Sequence, residues 1–339
     1  MADPETARAS PHPAPARSTG TAGALGRVIP ESWSRVFEAL AANEGVTAFL
    51  GPTDAGKTTC VRAAADYLLE RGRAPVGVVD ADVGQASVGP PAAVGLAILK
   101  RPTAAGESLP VHALQFVGAV SPAGYLLQTV TATARLVETA RAAGARRVLV
   151  DTSGLIGQGI GFQLKLNKLD RIAPRDVVAL ERGDELKMLL SVLGCNRRLT
   201  IHRLPVSPAV RERSPAERYR YRVERFGEYF RAARERTFAA NRVIVLAPAA
   251  RYSKFLSSAL PPVLAIDSLP RAVAGALVGI NDGANRTLAL GLIRKVRPEA
   301  RELVILTPLA DTRRARIIQL GSLRLAENGE DLDRVARQG

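Results

Sequence analysis

An apolar run at residues 46–50 passes directly into Gly51-Pro52-Thr53-Asp54-Ala55-Gly56-Lys57-Thr58, and residues 58–70 follow with helical spacing. A GxxxxGK[ST] pattern between a strand and a helix restricts the fold more than any other feature of the chain. Glycines let successive backbone N–H groups curl around phosphate oxygens, and the helix N-terminus adds its dipole. Lys57 reaches the β- and γ-phosphates, and the Thr58 hydroxyl is placed to ligate Mg²⁺. The pattern predicts a nucleoside triphosphate site on an α/β fold.

The rest of the chain fits that frame. Apolar runs bounded by turn residues recur at 76–79, 113–117, 148–150, 177–180 and 243–246, with helical stretches at 58–70 and 127–143. A further helix is expected at 31–43, where Trp33, Val36, Phe37 and Leu40 share one face. Short, nearly unbroken apolar strands alternating with helices predict a mostly parallel sheet covered on both faces. Beyond residue 247, runs at 261–266, 273–280, 288–296, 303–306 and 317–325 succeed one another without helices, and Asn281-Asp282-Gly283 marks a hairpin. The expected organisation is a tail at 1–28, a P-loop domain at 29–246, a small β-rich C-terminal domain at 247–328, and a tail at 329–339.

Composition narrows the partners. Lys+Arg number 47 against 32 Asp+Glu, a formal charge of +15 that favours a polyanion, nucleic acid before membrane. Two cysteines and three histidines, all scattered, exclude a disulfide framework, a structural zinc site and a His-rich metal centre. No apolar stretch approaches the length of a membrane span, and residues 1–24 lack the apolar core of a signal peptide, so the expected compartment is the cytosol.

Two carboxylates, Asp80 and Asp82, close the run at 76–79. At the C-terminal end of a strand beside the P-loop, one can serve the metal and the other a substrate hydroxyl. Asp151-Thr152-Ser153-Gly154 and Asn167-Lys168-Leu169-Asp170 imitate the guanine-reading pair of GTPases, but only 12 residues separate Gly154 from Asn167. That gap leaves no room for the intervening helix and strand, so NKLD is read as a helix surface. Residues 197–236 carry 12 Arg against 5 Glu, and within them Ser214-Pro215-Ala216-Glu217 starts a helix as a capping box. Tyr219, Val223, Phe226 and Phe230 fall on one face of it and Arg218, Arg222 and Arg225 on a neighbouring stripe, the pattern of either a solvated basic face or a cationic lid.

GPTDAGKTT (51–59), DADVGQASVGPP (80–91), FVGAVSPAG (116–124), DTSGLIGQGIGFQLK (151–165) and RSPAERYRYR (213–222) together resemble the polynucleotide 5′-hydroxyl kinase family, which includes the kinase subunit of the mRNA cleavage and polyadenylation machinery. The compact arrangement, with little ahead of the P-loop, is similar to the archaeal and bacterial members. The resemblance implies ATP on Gly51 to Thr59, Mg²⁺ near Thr58, and Asp82 as base for the 5′-hydroxyl, which leaves Asp80 as the carboxylate expected to support the metal. It further implies that Gln85, Thr152, Ser153, Gly154, Leu155 and Arg213 contact substrate, and that Arg218 and Arg222 act from the lid. Leu155 stands where eukaryotic relatives carry a stacking Trp. The implied activity is transfer of the ATP γ-phosphate to the 5′-OH of RNA or DNA, with RNA-processing proteins as further partners. The alternatives are a catalytically weak ATP-binding scaffold of an RNA-processing complex, and a P-loop kinase or ATPase acting on a small molecule.

Overall fold

The computed structural model describes residues 21–22, 28–104, 106–157, 159–207, 210–247 and 261–336. The expected tails at 1–28 and 329–339 lie partly outside them. Within them, Thr21–Ala22 (β1) pairs with Val28–Ile29 (β2), and residues 329–336 belong to the fold.

The nucleotide-binding half runs α1 (Glu31–Ala42), β3 (Gly45–Leu50), α2 (Lys57–Glu70), β4 (Val76–Ala81), β5 (Ala93–Leu99), β6 (Ala113–Phe116), α3 (Leu126–Ala142), β7 (Arg147–Thr152), α4 (Ile160–Ile172), β8 (Asp176–Glu181), α5 (Lys187–Leu193) and β9 (Thr200–Pro205). The parallel strands lie in the order β4-β7-β3-β8-β9. Their apolar runs are unbroken because both faces are covered. Val46, Ala48, Val79 and Val150 pack under α3 and α4, and Phe49, Val78 and Leu149 pack under α1 and α2. From β3 the chain crosses to β4 on one side, and from β7 it crosses to β8 on the other. The chain therefore reverses direction beside β3, and the crevice at such a switch point is where α/β sheets bind ligands.

Two strands escaped the sequence pattern. β5, antiparallel to β4, follows a proline pair rather than a helix. β9 buries little beyond Leu204, so its alternation of Arg, His and Thr reads as lid when it is an edge strand.

α6 (Pro215–Phe230) leads into β10 (Arg234–Ala239), β11 (Ile244–Leu246), β12 (Val263–Leu264), β13 (Ala276–Asn281), β14 (Thr287–Arg297), β15 (Glu302–Thr307), β16 (Ile317–Arg324) and α7 (Leu332–Val335). β13 and β14 form the hairpin expected around Asn281-Asp282-Gly283. The C-terminal strands begin earlier than residue 247, since β10 pairs with β15 and β11 with β16. They are also continuous with the nucleotide-binding sheet, through Thr287 of β14 paired with Leu114 of β6. The residues at 197–236 therefore divide among an edge strand, a helix and the start of a C-terminal strand.

Candidate active site

The P-loop leaves β3 at Gly51 and enters α2 through Gly56, whose φ of 80° turns the backbone into the helix. Lys57 is buried, 7% exposed, and its Nζ donates to the Pro52 carbonyl at 2.6 Å. Thr58 Oγ1 donates to Asp151 Oδ2 at 2.5 Å. The second oxygen of Asp151 is buried with no hydrogen-bond partner among the described residues. A divalent cation fits this arrangement, because the hydroxyl and the free carboxylate oxygen are hard oxygen donors at the mouth of a phosphate loop.

Asp80 does not take the place expected of it. It pairs in register with Asp151 across the β4–β7 ladder. Its oxygens, however, accept from the amides of Asp82, Ser87 and Val88 and from the Ser87 hydroxyl. Asp80 thus folds the loop that carries Asp82, and the carboxylate beside Thr58 is Asp151. Asp82 itself lines the cavity. Its Oδ1 accepts from the Gly84 and Gln85 amides, both at 3.0 Å, which leaves Oδ2 without a hydrogen bond among the described residues.

The cavity, about 640 Å³, is lined by Thr53 to Thr59, Asp82, Gln85, Gly154, Arg211 and Arg213, together with Pro30 and Trp33. Thr152 and Ser153, expected against substrate, are instead buried and held. Thr152 Oγ1 donates to the Phe49 carbonyl at 2.7 Å, and Lys165 Nζ donates to Thr152 Oγ1, the Ser153 carbonyl and Ser153 Oγ. Gly154 is the member of that segment that lines the cavity, and a Cβ there would sit 2.4 Å from Thr53 backbone atoms. Only glycine lets the P-loop and this segment approach so closely. Leu155 follows it, half-buried.

α6 contributes Glu217 and Tyr221 to the cavity wall. Ser214 and Glu217 form the capping box reciprocally. Asp54 on the P-loop accepts from the Arg213 amide at 2.9 Å and from the Arg218 guanidinium at 2.8 Å. Gln85 Nε2 donates to the Arg218 carbonyl, and the Tyr221 hydroxyl donates to the Ala86 carbonyl at 2.8 Å. Arg182, at the end of β8, donates to the Asp54 carbonyl. Neither Arg218 nor Arg222 lines the cavity: Arg218 is held on Asp54 of the P-loop, whereas Arg222 lies one turn further on, over the Tyr219 ring and near Arg334.

Charge is concentrated here. Burial lowers the Lys57 pKa while Asp151, Asp82 and Asp54 pull it back up. Burial, then the neighbouring Asp80, raises the Asp151 carboxyl above the usual range. Burial also raises Asp54, but the Arg213 amide and the Arg218 guanidinium outweigh it and hold that carboxyl low. Behind the acids, Lys165 and Lys168 of α4 are fully buried. Burial lowers Lys168 to about 8 against the opposing pull of Asp82, Asp80 and Asp151. The NKLD stretch is helical as expected, yet Lys168 and Leu169 face inward and only Asn167 and Asp170 are exposed. Asp151, Lys165 and Lys168 went unassigned in the sequence, although a strand-terminal Asp in DTSG was the available signal for the first.

The mRNA cleavage and polyadenylation factor CLP1 P-loop family matches residues 51–232. The chain is 28% identical to a polyribonucleotide 5′-hydroxyl-kinase of Pyrococcus furiosus, over 85% of this chain and 90% of that protein. It is 30% identical to a polyribonucleotide 5′-hydroxyl-kinase of Pyrococcus horikoshii, over 85% of this chain and 88% of that protein. Among solved structures, a chain of the wild-type Clp1p–Pcf11p complex superposes with a TM-score of 0.66 at 14% identity, covering 88% of this chain and 81% of that one, which supports the fold. A P-loop followed by Asp82, Asp151 and a docked α6 is thus found where the family match lies, and the chain belongs to the mRNA cleavage and polyadenylation factor CLP1 P-loop family.

Proposed function

We propose that the protein is an ATP- and Mg²⁺-dependent kinase that phosphorylates the 5′-hydroxyl end of a polynucleotide. The observation that carries this is a single cavity lined by Thr53 to Thr59 of the phosphate loop and by a carboxylate, Asp82, with one oxygen fixed by the Gly84 and Gln85 amides and the other free. The archaeal relatives, matched over most of their length, bear the name of this activity.

Phosphoryl transfer demands positioning and charge neutralisation more than covalent chemistry. The P-loop amides and Lys57 hold the β- and γ-phosphates, while Thr58 and Asp151 would hold Mg²⁺, which would neutralise phosphate charge. Asp82 Oδ2 accepts the proton of the 5′-hydroxyl as the hydroxyl oxygen attacks the γ-phosphorus, and the bond from that phosphorus to the β–γ bridging oxygen breaks to release ADP. Arg213 and Arg218, tied to Asp54 on the P-loop, bring cationic donors over the same loop. Gln85 and Gly154 line the acceptor side, and Leu155 offers a terminal base apolar contact in place of aromatic stacking.

Incubation with γ-labelled ATP and 5′-hydroxyl RNA and DNA oligonucleotides tests the reading. Label transferred to the 5′ end, dependent on Mg²⁺ and lost in Lys57→Ala, is the expected result. A wild-type protein that binds ATP but labels neither polymer would overturn it. The same panel reads the preference between RNA and DNA.

A further inference from the structure

The turn joining β13 and β14 lies on the catalytic end of the sheet. Asp80, at the end of β4, pairs with Gly95 of β5, which pairs with Leu114 of β6, which pairs with Thr287 of β14. Three strand spacings of about 4.8 Å put the turn ~14 Å along the sheet from the end of β4. The turn is anchored to the nucleotide-binding half by Gln115 Nε2, which donates to the Asn285 carbonyl at 3.0 Å.

Three arginines from three elements gather on this turn. Arg135 of α3 donates to the Asn285 carbonyl at 2.8 Å. Arg286 follows in the turn itself and is exposed. Arg316, exposed, lies along Gly283 and donates to the Arg313 and Ala315 carbonyls. The local acids are already engaged: Asp282 accepts from the Ala284 and Arg286 amides and pairs with Arg314, and Asp311 pairs with Arg313. Arg135, Arg286 and Arg316 have no carboxylate partner among the described residues. Two of the three are fixed by backbone carbonyls, so their positive charge is both uncompensated and ordered.

We propose that this arginine turn binds the phosphate backbone of the acceptor strand downstream of its reacting 5′ end. The proposal rests on the kinase reading and extends it to the C-terminal strands. A polynucleotide fits because its charge repeats: a stacked strand advances about 3.4 Å per phosphate, so ~14 Å corresponds to about four nucleotides. Arginine forks suit phosphate oxygens better than a diffuse field does. Acceptors shorter than that span engage the catalytic cavity alone, and longer ones engage both.

The test compares acceptors of about two and about ten nucleotides on the wild-type protein and on Arg135→Gln/Arg286→Gln/Arg316→Gln. Expected is a KM for the long acceptor raised about tenfold or more, with KM for the short acceptor, KM for ATP and kcat unchanged. In anisotropy titrations of the long oligonucleotide, the slope of log K against log salt should become shallower by about 2, at ~0.7 per lost phosphate contact. Arg286→Lys/Arg316→Lys should keep most of the wild-type slope, which a merely structural role for these side chains would not require. The double variant Arg286→Gln/Arg316→Gln keeps the Arg135 bond to Asn285 and guards against loss of the fold. Equal KM values and equal salt slopes in wild type and variants would overturn the proposal, as would a loss no larger for the long acceptor than for the short one. If the wild type phosphorylates no acceptor, the kinase reading fails, and the anisotropy slopes still decide whether the turn binds the strand.

Discussion

Asp80 and Asp151 stand side by side across the β4–β7 ladder, and only Asp151 reaches Thr58. Asp151→Asn should therefore raise the Mg²⁺ concentration needed for half-maximal transfer, read by titrating Mg²⁺ at fixed ATP. Asp80→Asn should act on stability. It replaces one of the oxygens that gather the 82–88 amides by a donor, which costs about 1–3 kcal/mol, seen as a lower Tm with the Mg²⁺ requirement unmoved. Asp82→Asn should abolish transfer while leaving ATP binding near wild type, because a base acts on the proton and adds little to nucleotide affinity. An Asp82→Asn protein with near-normal kcat would remove Asp82 from its role. The P-loop and the Asp80/Asp82 pair were legible from motif and spacing, and Asp82 as the base and Gly154 at the site only through the family resemblance. The choice between Asp80 and Asp151 was not. It depends on β7, and not β4, being the neighbour of β3, and strand order is a property of the folded sheet.

At the scale of the element, α6 joins the P-loop to the rest of the molecule. Its start was readable because Ser214, Pro215 and Glu217 act locally, and the capping box formed as expected. Ser214→Ala should cost about 1 kcal/mol, measured by denaturant titration. Which arginine of α6 meets the P-loop was not readable, because helical spacing places Arg218 and Arg222 on one stripe without fixing how the helix tilts. Tyr221 bonded to Ala86 and Arg225 bonded to Gly89 lay α6 along the 82–89 loop. Arg218 then meets Asp54, while Arg222 turns towards Tyr219. Arg218→Ala should lower kcat by about a hundredfold, the effect of one donor lost from a charge-stabilising site, and raise the oligonucleotide Kd less. Arg222→Ala should leave kcat within a few-fold of wild type. Steady-state kinetics on the pair distinguishes a lid that acts through its first turn from a uniformly catalytic stripe.

For the whole molecule, the sequence suggested two domains meeting near residue 247, and the packing argues for one cooperative unit. Phe226 and Phe230 of α6 share a core with Ala93 and Phe116 of the nucleotide-binding sheet and with Leu277, Leu290 and Leu292 of the C-terminal strands. A Cβ on Gly279 of β13 would fall 2.6 Å from the Phe116 ring, so the two halves touch where no side chain fits. The Tyr229 hydroxyl accepts from the Leu290 amide, which ties α6 to β14. Apolar alternation reports which residues are buried but not against which partner, so this shared core was invisible before folding. If it couples the halves, calorimetry should show a single transition, with the calorimetric and van't Hoff enthalpies equal. Phe226→Ala should lower that transition as a whole, by about 3–5 kcal/mol of stability, and not split it. A chain ending at residue 246 should fail to fold, because β10 and β11 lose their partners β15 and β16 and the apolar face of α6 is laid open. Two separated transitions in the intact protein, with only one of them responding to Phe226→Ala, would show instead that the C-terminal strands are an independent domain.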